Sequence, residues 1–75
     1  MKAVAVESTT LTTVAYDAER MILQLEFRDQ AIYHYFKVPV EIYRGLLAAS
    51  SKGLYFNQRI RGQFPYLRLD ALSLS

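Results

Sequence analysis

The sequence predicts an α+β domain: a three-stranded antiparallel β-meander followed by two α-helices packed on one face, with a short extended C-terminal segment. Three observations predict it. Between residues 11 and 36, apolar and polar side chains alternate with the period of a strand and are interrupted twice by short polar turns. Pro39 then closes the last strand and opens a stretch whose apolar residues recur at helical spacing. Finally, 75 residues of which 52% are hydrophobic and 21% charged leave room for one domain and exclude wholesale disorder. The domain is read as residues 1–75, with a core over about 12–69.

Taken in order, residues 2–6 alternate weakly and read as a fraying arm or a short edge strand. Residues 11–16, Leu-Thr-Thr-Val-Ala-Tyr, are β-branched and aromatic and form the first confident strand, ended by the polar turn Asp17-Ala18-Glu19-Arg20. The second strand, 21–27, puts Met21, Leu23, Leu25 and Phe27 on the face that meets the helices, with Gln24 and Glu26 on the other. After Arg28-Asp29-Gln30, the strand 32–36 sends Tyr33 and Tyr35 to one face and Ile32, His34 and Phe36 to the other. Beyond Pro39, the residues Ile42, Tyr43, Leu46 and Leu47 form an apolar stripe, and Glu41 has the favourable sign for a first helical turn. Gly45 costs this helix about 1 kcal/mol relative to alanine, which points to a close approach by a neighbouring element. A second, shorter helix is expected at about 53–60, capped by Ser50 or Ser51, with Phe56 and Ile60 on its buried side and Gly62 at its end. Pro65 forbids helix in 64–69, which is expected to lie back along the sheet as an extended segment. Leu72 and Leu74 have no evident partner. The expected buried set is Leu23, Leu25, Phe27, Leu46, Leu47, Phe56 and Ile60.

Cysteine is absent, which removes disulfides, thiolate nucleophiles and the thiolate zinc frameworks common in small domains, and a reducing cytoplasm fits best. The apolar run Ala3 to Val6 ends at Glu7, far short of a signal-peptide core or of the roughly 20 residues of a membrane span. No membrane association is expected. Charge divides at Phe36: the first part carries a net −2 and the second, with Lys37, Arg44, Lys52, Arg59, Arg61 and Arg68 against Glu41 and Asp70, a net +4. That surplus suits an acidic partner, although on charge alone the solvated outer face of an ordinary soluble protein is the commoner explanation. Catalysis needs a nucleophile with a base, or two carboxylates in separated roles. Ser50 and His34 come without a third partner, and a single histidine without cysteine makes a poor metal centre. The expectation is a protein that is not an enzyme and needs no cofactor, metal or small-molecule substrate.

The candidate binding residues each admit a structural reading beside the functional one. Tyr33 and Tyr35 offer flat faces for stacking unpaired bases, or fill the core with Tyr43 and Tyr55. Lys52, Arg59, Arg61 and Arg68 form a basic stripe for phosphates, or are solvated charges. Ser50 to Gly53 with Lys52 could face an anion, or simply cap the second helix. The elements Tyr33-His34-Tyr35, Val38-Pro39, Tyr43, Ala49-Ser50, Gly53-Leu54-Tyr55-Phe56-Asn57 and Ile60-Arg61 together resemble the KTSC domain over about residues 12–69. That module is named for its place at the C-terminus of some lysyl-tRNA synthetases and also stands alone. The resemblance implies a cytoplasmic accessory module with a proposed role in RNA binding and no catalytic residues. It also makes Asn57 a candidate for specific hydrogen bonding. One departure is Gln30, where the family pattern has a glycine, which leaves the type of that turn open. The competing expectation is protein interaction or self-association, such as a homodimer, motivated by the small size, the N-terminal strand and the leucines Leu69, Leu72 and Leu74.

Overall fold

The computed structural model describes residues 1–69. The alternating segments form strands β1 (Val4–Ala5), β2 (Leu11–Asp17), β3 (Ile22–Phe27), β4 (Ile32–Tyr35) and β5 (Tyr66–Arg68). Between the last two lie helices α1 (Val40–Ala48) and α2 (Lys52–Tyr55), the second running on into a π-helical turn (Phe56–Ile60). All pairings are antiparallel and spatial order follows chain order, β1-β2-β3-β4-β5. The expected α+β architecture and central meander are therefore present, but the sheet has five strands where three were expected. The weakly alternating arm pairs with β2 (Val4 opposite Val14), and the extended segment after Pro65 pairs with β4. Leu72 and Leu74 lie outside the described residues.

The register explains which side chains are buried. Val14, Leu25 and Tyr33 stand opposite one another across β2, β3 and β4, as do Tyr16, Leu23 and Tyr35, so both rows share one face. Leu46 from α1 and Phe56 and Ile60 from the π turn close over that face, joining Leu11, Val14, Leu23, Leu25, Tyr35 and Val38 in one core. Of the expected buried set, Leu47 is exposed and Phe27 only half-buried, and Met21, expected on the face that meets the helices, is turned outward. Met21 is 39% exposed because it sits in the turn before β3 with φ 56°, which takes it out of the alternation. Leu47 is 37% exposed: it lies roughly 100° around the helix from the buried Leu46, at the margin of the stripe that one sheet can cover.

Side chains hold the connections. Asp17 Oδ1 accepts the N–H groups of Glu19 and Arg20, and Asp29 Oδ1 accepts that of Ala31 (3.0 Å), so an aspartate side chain braces each polar turn. Tyr16 donates its hydroxyl to the Val38 carbonyl (2.5 Å) and stacks on Tyr43 (centroids 5.1 Å apart), which pins α1 to the sheet. Of the two serines offered as caps, Ser51 is the one whose Oγ accepts the Leu54 N–H (3.2 Å). The close approach inferred at Gly45 is that of Tyr55, whose hydroxyl and ring fill the space a Cβ would take. The Arg61 N–H bonds to the Phe56 carbonyl (2.8 Å), one residue further back than in an α-helix, and Gly62 follows with φ 76°. Among the described residues no helix is long and apolar enough to cross a membrane.

Candidate functional site

Pairing of β4 with β5 sets Tyr35 opposite Tyr66 and Tyr33 opposite Arg68. The rings of Tyr33 and Tyr35 lie nearly parallel with centroids 6.0 Å apart, and Tyr66 leans over both at 5.6 Å. Phe56 meets Tyr35 edge-on at 5.9 Å and Phe27 at 5.3 Å, so strand, helix and edge strand contribute to one aromatic cluster. Against it opens a cleft of about 340 Å³, within the range of small-ligand sites. Arg61 and Gly62 from the end of the π turn, Arg68 from β5, and Asp29 and Ala31 from the β3–β4 turn complete its walls. The Arg68 guanidinium stands 5.8 Å from the centroid of the Tyr33 ring.

Within the cluster the tyrosines differ. Tyr35 is only 4% exposed, and burial pushes its hydroxyl up to about 12, aided by Tyr33 and Tyr66 and opposed by the positive charge of Arg61. Tyr33 is half-buried, and Tyr66 is 61% exposed, so the accessible aromatic surface is chiefly that of Tyr66. Tyr43 and Tyr55 belong elsewhere, against Tyr16 and Gly45 respectively.

Of the residues singled out in the sequence, Tyr33, Tyr35, Arg61 and Arg68 thus converge on one cleft. Asn57 lies just outside it and accepts from Arg61 Nη1 at 3.4 Å, while Arg59 turns to the Tyr55 ring, 5.9 Å from its centroid. Lys52 lies apart: its ammonium donates to the Ala49 carbonyl (2.8 Å), and it lines a different hollow with Ser8, Arg28 and Ser50. Sequence reasoning missed Phe27, Asp29 and Tyr66 as cleft residues. The available signal was the alternation Tyr66-Leu67-Arg68, which puts a ring and a guanidinium on one face of an extended segment.

His34 faces the opposite side of the sheet, its Nε2 2.8 Å from Gln24 Oε1, and partial burial lowers its affinity for a proton. Ser50 lies in the hollow with Lys52, so no histidine stands beside it there. Among the described residues no three histidine, aspartate or glutamate side chains gather as a metal site would require. What the cleft offers chemically is therefore stacking surface, two guanidinium groups and one carboxylate.

A model of the KTSC domain matches residues 7–64. The chain is 44% identical over 71 residues to an uncharacterized protein of Stutzerimonas stutzeri, covering 93% of this chain and all of that one. It is 41% identical over 64 residues to a lysine–tRNA ligase of a Nostoc species, covering 85% of this chain and 11% of the ligase. In structure it is similar to a KTSC domain protein from Yersinia pestis, with a TM-score of 0.88 at 29% identity over 91% of this chain and 96% of the other.

Proposed function

Because the chain belongs to the KTSC domain family, we propose that it is a non-catalytic module that binds unpaired RNA weakly through its basic C-terminal part. The observation that carries this reading is the placement of Arg61 and Arg68 around an aromatic cleft whose most exposed ring is Tyr66. A nucleobase entering the cleft stacks on Tyr66 and the rim of Tyr33, an interaction worth about 1 to 3 kcal/mol per base. The two guanidinium groups take the flanking phosphates, and Arg59 and Asn57, on the turn that leads to Arg61, extend contact along the strand, whereas Lys52 stands apart from this path. Relatives that carry the domain within a ligase acting on tRNA make RNA a reasonable partner.

Charge and stacking leave different signatures in a titration with short single-stranded RNA. Each neutralised phosphate contributes a slope of about −0.7 to the dependence of log affinity on log salt. Replacing Arg61 and Arg68 together with glutamine should flatten that slope by about 1.4, the sum of two such contacts. Tyr66→Leu should weaken binding with the slope unchanged. Amide shifts at low salt should centre on residues 29–33 and 60–68; absent or scattered shifts would end the RNA reading.

Leu67, 48% exposed on the edge strand β5, favours a second reading, self-association through that edge. Sedimentation at high protein concentration separates the two, since a strict monomer rules out the second.

A further inference from the structure

A site built only to hold an RNA backbone gains nothing from a carboxylate, which repels phosphate, yet Asp29 lines the aromatic cleft together with Arg61 and Arg68. Asp29 is exposed at the turn, where Oδ1 accepts the Ala31 N–H at 3.0 Å and its other oxygen has no partner among the described residues. Beside it, Ala31 contributes little bulk, and across the cleft Gly62 has open space where a side chain would stand. A carboxylate accepts through both oxygens and donates through neither. It is therefore matched by a base edge that carries two adjacent donors.

We infer that the cleft selects a single unpaired guanine, stacked against Tyr66, with its N1–H and exocyclic N2 amine on the Asp29 carboxylate and its phosphate toward Arg61 and Arg68. The inference rests on the RNA reading above and gives it a base preference. Among the common RNA bases, guanine alone has two neighbouring donors on its pairing edge. Adenine and cytosine set one amine beside a ring-nitrogen acceptor, and uracil sets one N–H between two carbonyls. Each of these turns a lone pair toward the carboxylate, which costs both a hydrogen bond and a repulsion.

The test uses the full chain, read by NMR at low salt, with the 5′-monophosphates of guanosine, inosine, adenosine, cytidine and uridine. Guanosine monophosphate should bind about tenfold more tightly than the adenosine, cytidine and uridine nucleotides, the lower part of the range for a good bidentate contact. Inosine monophosphate, which keeps N1–H and lacks the amine, should fall between. Asp29→Asn keeps an acceptor for the Ala31 N–H, so the turn is preserved, and it should level the affinities. Equal binding of the wild-type chain to all five nucleotides, or a guanine preference that survives Asp29→Asn, overturns the inference. Two hexanucleotide RNAs, one all-uridine and one with a single guanosine, separate this from the broader reading. If both bind equally, the preference is wrong and RNA binding stands; if neither binds, both fall.

Discussion

Gln30 has φ 74°, a conformation that costs an L-residue about 1 to 2 kcal/mol and glycine almost nothing. Such a conformation suits the glycine that the resemblance leads one to expect in this turn. The backbone bonds that close the turn, Gln30 N–H to Phe27 O (2.9 Å) and Phe27 N–H to Ala31 O (2.8 Å), need no side chain. Gln30→Gly should therefore raise the urea midpoint, with a gain of about 0.5 to 1 kcal/mol once the added freedom of the unfolded glycine is deducted. Tyr35 makes a pH-dependent contribution at the same scale. Its hydroxyl is raised from the ordinary 10 to about 12 in the folded chain, so the unfolded chain loses that proton first as pH rises. The associated stability is complete below pH 10 and is lost between about 10 and 12. Urea midpoints at pH 9 and pH 11 should differ clearly in the wild-type chain and less in Tyr35→Phe, the residual loss including that of Tyr16, which burial also raises.

Among the elements, the packing of α1 against α2 depends on what Gly45 lacks. In an isolated helix Gly45→Ala would be stabilising by about 1 kcal/mol. Here the new methyl would collide with the Tyr55 hydroxyl and ring, so the substitution should instead cost about 1 to 3 kcal/mol. In a Tyr55→Leu background the sign should turn back toward the helix-propensity gain, a coupling that a double-mutant cycle of urea denaturations measures directly. Elements of this length were legible in the sequence because a period needs several residues to declare itself. The alternation of β2, β3 and β4 and the stripe Ile42, Tyr43, Leu46 extend over enough chain to do so. β1 has two residues and β5 three, too few for a period to declare itself: the weak alternation at 2–6 reads equally as a fraying arm and Pro65 marks 64–69 only as extended, whereas the backbone bonds to β2 and β4 make them strands. Met21 fell outside β3 for a related reason: its apolar side chain continues the alternation, but its positive φ does not.

For the molecule as a whole, the sequence showed the tyrosines and arginines but not their grouping. The surplus of +4 after Phe36 reads as one basic stripe, whereas the fold sends Lys52 to a separate hollow, Arg59 to the Tyr55 ring, and Arg61 and Arg68 to the cleft. Only the register of β4 against β5 brings Tyr33, Tyr35, Tyr66 and Arg68 together, and only the π turn delivers Arg61 beside them. Strand order has a further, kinetic consequence. Each pairing up to β4 joins neighbours across a short connection, so that part of the sheet is expected to form early, from local contacts. β5 is different, because it closes a long loop after both helices and is expected to dock last. Since that strand supplies Tyr66 and Arg68, the aromatic cleft should be complete only with the final step of assembly, and a copy in which β5 has come away should lack it.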